Sequence, residues 1–216
     1  FHMEKARGSD SAMTAHIERT SHPKNADESR THLNRTLIEY PEGVKDRTAV
    51  IQHRLEHAGL KRKIGSNQVR AIRINLSGSP EDIARIEAAG QLDAWCTDSL
   101  QYLFDTFGRE NIISAHLHMD EKTPHIHATL VPIVQAARTR RKKEDQVKRH
   151  YRKKSADTPR LCADDIMTRG RLKSYQDGYA KAMSHHGLQR GIDGSEARHI
   201  STQQYYRDLK KQSHEL

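Results

Sequence analysis

A chain of 216 residues, 34% hydrophobic and 30% charged with a formal net charge of +9, is long enough for one compact domain with an appendage. It contains no apolar run that could span a bilayer and no signal-peptide pattern, which argues against an integral membrane protein. Its two cysteines, Cys96 and Cys162, lie far apart and indicate free thiols in a reducing compartment rather than a disulfide framework.

The predicted elements alternate between strands and helices along the chain. Strands are predicted over residues 1–6, 31–38 and 68–76, and residues 8–30 are predicted to form a long polar loop. Helices are predicted over residues 48–58, 79–90, 91–107 and 164–186, with a last helix beginning near Ser201. Ser79 and Pro80 form a strong helix start, because serine caps the first turn and proline fits its first position. This order of elements indicates an α/β domain.

A strand hairpin over residues 111–120 and 125–133 carries an unusual set of histidines. Side chains alternate between the two faces of a strand, so His125 and His127 share one face, and His118 shares a face with Asp120 on the preceding strand. The intervening positions, such as Leu117 and Ile126, are apolar and face the core. If residues 121–124 form the turn, three imidazoles converge, and three neutral imidazoles make a metal site that keeps positions open for a substrate.

The positive charge of the chain is concentrated in one segment, residues 138–154. It holds ten lysines and arginines and two acidic residues, a net charge of +8. Clustered lysine and arginine neutralise phosphates and release counterions, so the segment predicts a polyanionic partner such as nucleic acid. A membrane surface fits less well, because the segment lacks the large apolar residues of an interfacial helix.

Several motifs together resemble a known family. The run His118-x-Asp120-Glu121-x-x-Pro124-His125-x-His127 is similar to the metal motif of the Mob/Pre, or MobV, plasmid mobilisation relaxases. These belong to the HUH endonucleases, which are named for paired histidines around a hydrophobic residue. Further stretches that resemble the family are His16-Ile17-Glu18-Arg19, Ser29-Arg30-Thr31-His32-Leu33-Asn34 and Ser195-Glu196-Ala197-Arg198-His199.

The resemblance implies a fold and an activity. The expected fold is a two-layer α/β domain with a five-stranded antiparallel sheet, helices packed on one side and an open DNA-binding face. The expected domain spans residues 1–216, with residues 134–163 as a basic DNA-binding loop or extension, and it is expected to be an N-terminal fragment of a longer bacterial cytoplasmic protein. The expected reaction is nicking of one strand at an origin of transfer, for mobilisation of a plasmid or transposon in conjugation. The expected partners are single-stranded and hairpin DNA, with relaxosome or coupling proteins as further candidates.

The resemblance also assigns roles to residues. His16 matches the nucleophile that attacks phosphorus and forms a covalent 5′-phosphate–histidine intermediate, and Glu121 matches an active-site acid. His118, His125 and His127 match the ligands of a divalent metal, with Asp120 supporting them. Manganese or magnesium is favoured by the resemblance, whereas imidazole ligands also suit zinc, nickel or cobalt. The candidate DNA contacts are Arg19, Asn34, Arg73, Arg138, Arg140, Arg141, Lys142, Lys143, Lys148, Arg149, Arg152, Lys153, Lys154 and Arg198.

Three alternatives stay open at this point. Many related enzymes use a tyrosine nucleophile, for which Tyr40 and the pair Tyr205-Tyr206 are candidates. A non-catalytic DNA-binding module could hold a structural ion, although structural sites usually include cysteine and none lies near the motif. A metal-dependent hydrolase of a small substrate would have no need of the basic segment.

Overall fold

The structure, a computed structural model, describes residues 1–6, 8–135 and 158–191. The strands are β1 (His2–Lys5), β2 (Arg35–Thr36), β3 (Ile72–Leu76), β4 (Ile112–His118), β5 (His125–Leu130), β6 (Ile133–Val134) and β7 (Arg160–Leu161). The helices are α1 (Ser11–Ile17), α2 (Arg47–Glu56), α3 (Pro80–Ala88), α4 (Leu92–Phe107), α5 (Ala163–Ile166) and α6 (Arg169–Ala182). Short 3-10 helices cover Glu28–Leu33, Arg109–Asn111 and Ser184–His186. Across these three ranges, no helix is long and apolar enough to cross a membrane.

Five strands form one antiparallel sheet in the order β1-β3-β5-β4-β2. The hairpin of β4 and β5 lies near its centre, with His118 opposite His125 and His116 opposite His127. This register places the histidines on one face and Leu117 and Ile126 on the other. The predicted fold class, an α/β domain with a five-stranded antiparallel sheet, is confirmed.

Helices α3, α4 and α6 cover the apolar face of the sheet. Ile83 and Ile86 of α3, Trp95 of α4 and Tyr179 of α6 are buried in the same core as the apolar strand residues. Removing a core of this size from water is the main source of stability for such a domain. The hairpin that carries the histidines is therefore held on a rigid support.

The second face of the sheet, which carries the histidines, is less exposed than the open face expected from the sequence, because α1 and α2 cover part of it. Val50, Ile51 and Leu55 of α2 form a smaller core with residues of this face. Arg47, at the start of α2, is fully buried and donates to Thr129 of β5 and to Asp10 and Thr14 at α1. These polar contacts attach α1 to the sheet beside the histidines.

Three predicted elements differ from the structure. The predicted loop over residues 8–30 was wrong in part, since it contains α1, and the predicted strand over 31–38 is reduced to the two residues of β2 after a 3-10 helix. The predicted helix over 164–186 is broken into α5, α6 and a 3-10 turn, because Thr168 leaves the helix and caps α6 by accepting from Arg171 N. The helix predicted near Ser201 lies outside the described residues.

The ends of the predicted basic extension are joined by a small sheet. Strands β6 and β7 pair antiparallel, with Ile133 opposite Leu161 and Val134 opposite Arg160. The charged segment that connects them, residues 138–154, lies outside the described residues, as do Tyr205-Tyr206 and the stretch around Arg198.

Candidate active site

Four histidines and Glu121 meet on the second face of the sheet. His16, His118, Glu121 and His127 each offer a ligand atom, and these atoms all lie within 4.8 Å of one another. His125 joins them, since its Nε2 lies 3.0 Å from His127 Nε2 and 3.8 Å from Glu121 Oε1. The convergence predicted for the hairpin histidines is therefore present, and α1 adds His16 to it. We refer to these five residues as the histidine centre.

Backbone carbonyls orient two of the rings. His118 Nε2 lies 2.9 Å from the Ile17 carbonyl oxygen, and His125 Nδ1 lies 2.9 Å from the Thr123 carbonyl oxygen. A carbonyl can only accept, so each of these nitrogens carries the proton, and in the neutral ring the other nitrogen keeps its lone pair. His118 Nδ1 and His125 Nε2 consequently face the centre. This support by carbonyl groups is typical of histidines that bind metals.

Burial keeps the imidazoles of His16, His125 and His127 neutral. Burial lowers the pKa of His16 to about 4, against the opposing charge of Glu121. Burial also lowers the pKa of His125, and it lowers that of His127 well below its ordinary value. Near neutral pH these rings therefore have free lone pairs, which is the state needed for binding a metal or attacking phosphorus.

Arg19 organises the acidic side of the centre. Its guanidinium donates from Nε and Nη2 to the two carboxylate oxygens of Asp120, at 2.8 and 2.7 Å, and from Nη2 to Glu121 Oε1 at 2.7 Å. Its Nη1 donates to the His16 carbonyl at 2.5 Å. Arg19 has a left-handed backbone with φ of 55°, which is strained for a non-glycine residue. Its contacts thus compensate a backbone strain and join α1 to the β4–β5 turn.

Asp120 is a fully buried acceptor within this network. Thr31 and Asn34 donate to its Oδ2 at 3.1 and 2.8 Å, in addition to the two bonds from Arg19. Burial acts to raise the pKa of Asp120, but the hydrogen bonds from Arg19 and Asn34 and the charge of Arg19 outweigh it and hold that pKa well below its usual range. Asp120 therefore holds Arg19, Thr31 and Asn34 beside the centre, and its support of metal ligands stays a prediction.

The nearby acid Glu121 is ionised for similar reasons. Burial acts to raise its pKa, while His118, His125 and Arg19 lower it to about 2. Asn25 donates from Nδ2 to Glu121 Oε2 at 2.7 Å. The sequence analysis missed Asn25, because nothing in a polar, loop-like stretch distinguishes this amide from its neighbours.

The donor set fits a divalent cation. Ring nitrogens of His118, His125 and His127 face one another, and Glu121 adds negative charge beside them. In the structure, Arg19 Nη2 lies 3.0 Å from His118 Nδ1. An ion bound through this nitrogen would take the place of that Arg19 contact.

A polar cavity of about 340 Å³ opens beside the centre. Its lining residues are Ile17, Glu18, Arg19, Thr31, Asn34, Arg35, Thr36, Tyr40, Lys45, His116 and His118. Tyr40 donates to Glu18 Oε1 at 2.7 Å, and its oxygen lies 3.0 Å from His116 Nε2. Burial and the contact with Glu18 raise the pKa of Tyr40, so the hydroxyl is not activated. This arrangement weakens the alternative in which Tyr40 is the nucleophile.

The other predicted DNA contacts are placed differently. Asn34 is committed to the protein, because its Oδ1 also accepts from Met119 N at 2.7 Å. Arg73 lies on β3 and pairs with Glu4 at 3.2 Å, away from the histidine centre along the same face. The contact of Arg19, Asn34 and Arg73 with DNA stays a prediction, as does that of Arg198 and the basic segment, which lie outside the described residues.

The chain is similar to known proteins over nearly its whole length. The family model Mob_Pre, described as plasmid recombination enzyme, matches residues 1–207. A 65 kDa protein of Zymomonas mobilis is 30% identical over 212 residues, which are 98% of this chain and 32% of that protein. A plasmid recombination enzyme of Bacillus thuringiensis is 28% identical over 211 residues, which are 95% of this chain and 41% of that protein. The chain therefore spans about a third to two fifths of the length of these relatives.

Solved structures with the same fold come from the MobM relaxase domain. One, bound to a 22-nucleotide oriT DNA of plasmid pMV158 and to manganese, superposes with a TM-score of 0.73 at 24% identity, covering 95% of this chain and 97% of that chain. Another, bound to a 26-nucleotide oriT DNA, gives a TM-score of 0.65 at 20% identity and covers 94% and 97% of the two chains. Because the family model matches nearly the entire sequence and the fold agrees, the chain belongs to the Mob_Pre family of plasmid recombination enzymes.

Proposed function

We propose that this chain is a relaxase domain that nicks single-stranded DNA at an origin of transfer and holds the cut strand through His16. The observation that carries the proposal is the position of His16. A histidine from α1, distant in sequence from the hairpin, lies against His118, His127 and Glu121, where their ligand atoms converge on the sheet. The oriT DNA bound by the structurally similar MobM domain supports the same class of substrate.

The chemistry is a transesterification in which His16 replaces a sugar oxygen on phosphorus. A ring nitrogen of His16 attacks the scissile phosphate, a P–N bond forms, and the bond from phosphorus to the 3′ oxygen breaks. The 3′ oxygen takes a proton from solvent and leaves as a free hydroxyl, while the phosphorylated ring can release its own N–H proton, and the 5′ phosphate remains on the histidine. Because the bond energy is retained in the adduct, the reverse reaction can rejoin the strand.

Residues around His16 favour this attack. Burial keeps the ring neutral, so its lone pair is available. Glu121 Oε1 lies 3.7 Å from His16 Nε2, too far for a hydrogen bond but close enough to stabilise the positive charge that the ring gains on attack. Arg19 fixes both partners, since it binds Glu121 and the His16 carbonyl.

His118, His125 and His127 would hold the divalent ion. When bound, the ion supplies a positive charge that neutralises the phosphate oxygens as the reaction proceeds. Imidazole ligands alone favour zinc, nickel or cobalt, whereas the manganese in the MobM structures favours manganese, with magnesium as an alternative. We propose manganese as the working ion.

The residues around the histidine centre fit a DNA strand as the substrate. We place the reaction in the bacterial cytoplasm. The polar cavity beside His118 offers Lys45 and Arg35 to a nucleotide next to the scissile phosphate. The basic segment, residues 138–154, supplies the charge for the DNA backbone. The proposed partners also include the DNA hairpin of an origin of transfer and further proteins of the relaxosome.

The test is the acid stability of the covalent adduct. Labelled single-stranded DNA fragments are prepared that together cover the plasmid or transposon encoding the chain. They are incubated with the protein and manganese, and the covalent adduct is trapped by denaturing the protein. A P–N bond to imidazole breaks in mild acid because the protonated ring is a good leaving group, whereas a tyrosine phosphodiester survives. We expect an acid-labile adduct that is absent in His16→Ala and retained in Tyr40→Phe.

The matched control is His32→Ala, which removes an exposed histidine and leaves the histidine centre intact. It should form the adduct at the rate of the unmodified protein. An acid-stable adduct, or one that persists in His16→Ala, would show that another residue is the nucleophile. Mass spectrometry of the modified peptide then identifies the nucleophile, and Tyr205-Tyr206 are among the candidates.

A further inference from the structure

A second cluster of metal-binding side chains lies among the helices on the apolar side of the sheet. His185 Nε2 and His186 Nε2 each lie 2.8 Å from the same oxygen, Oδ2 of Asp98 on α4. The ligand atoms of the three residues all lie within 4.8 Å of one another, and the two imidazole rings have centroids 4.0 Å apart. Asp98 and the two histidines belong to distant parts of the chain, so the tertiary fold creates this convergence.

The turn that presents the two histidines is fixed without any ion. His186 N donates to the Met183 carbonyl, and Arg85 of α3 donates from Nη1 to the His186 carbonyl at 3.1 Å. Gly187 then has a φ of 78°, and a Cβ at this position would lie 2.6 Å from the Arg85 guanidinium. The positive φ favours glycine here, and the turn holds the histidines toward α4 in advance.

The donor set and spacing suit a transition metal. Two imidazole nitrogens and one carboxylate oxygen form a set that zinc, cobalt and nickel bind well and that magnesium and calcium do not prefer. Ligands about 2.1 Å from one ion, at angles between octahedral and tetrahedral, lie roughly 3.0–3.4 Å apart. The observed separations of 2.8 Å need to open by only a few tenths of an ångström.

The exposure of the cluster allows an ion to enter. The side chain of His186 is 3% exposed, whereas those of Asp98 and His185 are 39% and 60% exposed. Solvent can therefore supply the remaining ligands. We propose that Asp98, His185 and His186 bind a divalent transition metal of the zinc class, which joins the end of α6 to α4 and is separate from the ion of the histidine centre.

The experiment measures zinc bound per chain by equilibrium dialysis at micromolar free zinc, with thermal unfolding as a second readout. Asp98→Asn and His185→Ala should each bind one zinc ion fewer than the unmodified protein and lose the zinc-dependent rise in melting temperature that this site provides. His185 is the better variant, because its exposed side chain can be removed without disturbing the core. A protein carrying both His118→Ala and His127→Ala should still bind the ion at Asp98.

The matched control is Asp177→Asn, which removes a carboxylate of α6 that pairs with Arg190 at 2.8 Å rather than with a histidine. It should bind as much zinc as the unmodified protein. Nicking with manganese should be unchanged in His185→Ala, because the sheet separates this cluster from the histidine centre. Equal zinc stoichiometry in the unmodified protein, Asp98→Asn and His185→Ala would overturn the proposal and leave a hydrogen-bonded cluster only.

Discussion

Replacing Arg19 by methionine should destabilise the domain strongly and slow nicking. Methionine keeps most of the apolar stem and removes the guanidinium, so the substitution isolates the polar contacts. Five hydrogen bonds disappear, two to Asp120 and one each to Glu121, the His16 carbonyl and His118 Nδ1. The Asp120 side chain is 0% exposed and would keep its charge with only Thr31 and Asn34 as side-chain donors.

The magnitude follows from the cost of leaving that carboxylate unpaired. Removing one partner of a buried ion pair costs about 3–5 kcal/mol of unfolding free energy, because the other charge cannot reach water. Replacing Asp120 by asparagine removes the charge as well. The double variant, Arg19→Met with Asp120→Asn, should therefore lose about 1–3 kcal/mol less than the sum of the two single variants.

The assay is urea unfolding of metal-free protein for the four members of this double-mutant cycle, together with their nicking rates. The control is Arg190→Met, because Arg190 is more exposed than Arg19 and pairs with the exposed Asp177 at 2.8 Å. That variant should lose about 1 kcal/mol or less. A similarly small loss for Arg19→Met, or additive effects in the cycle, would refute the role assigned to the Arg19–Asp120 pair.

Three further predictions follow from the same geometry. His125→Ala should weaken manganese binding by roughly tenfold or more, measured by calorimetry; unchanged affinity would remove His125 from the ligand set. Neutralising Lys142, Lys143, Lys153 and Lys154 should reduce the log–log salt slope of DNA binding by up to ~4, and an unchanged slope would exclude phosphate contacts. In chelator, stability should fall between pH 7 and 5. Burial gives His16 and His116 a pKa of about 4 in the folded protein, against ~6.5 in the unfolded chain. As the unfolded state gains protons, each histidine should therefore lower the free energy of unfolding by about 2 kcal/mol. Urea midpoints that stay level over this range would contradict the assigned burial.

The histidine hairpin could be predicted from sequence because strand alternation is a strong constraint. Once Leu117 and Ile126 are placed in the core, the side chains of His118 and His127 must lie on the opposite face. The capped start of α3 at Ser79 and Pro80 was equally local, and the structure confirms it. Features that depend on residues adjacent in sequence could therefore be predicted.

Features that depend on contacts between residues far apart in the sequence could not be predicted. Helix α1 has seven residues and follows Asp10, which has a left-handed backbone and does not cap the helix with its side chain, so the local sequence does not specify a helix. Its stability comes from tertiary contacts such as those of Arg47 with Thr14 and Asp10. The ring orientations of His118 and His125 depend on carbonyls placed by the fold. No composition or periodicity encodes them.

The location of His16 on α1 separates the proposed nucleophile from the proposed metal ligands in stability as well as in sequence. The ligands lie on the central hairpin, whose opening requires loss of the main core, whereas α1 is joined to the sheet chiefly through Arg19, Arg47 and the Ile17 carbonyl. Amide exchange in α1 should therefore be faster than in β4 and β5, because such a segment can open on its own. Heating would then abolish adduct formation at a lower temperature than it unfolds the sheet, and a heat-inactivated molecule would still bind its metal.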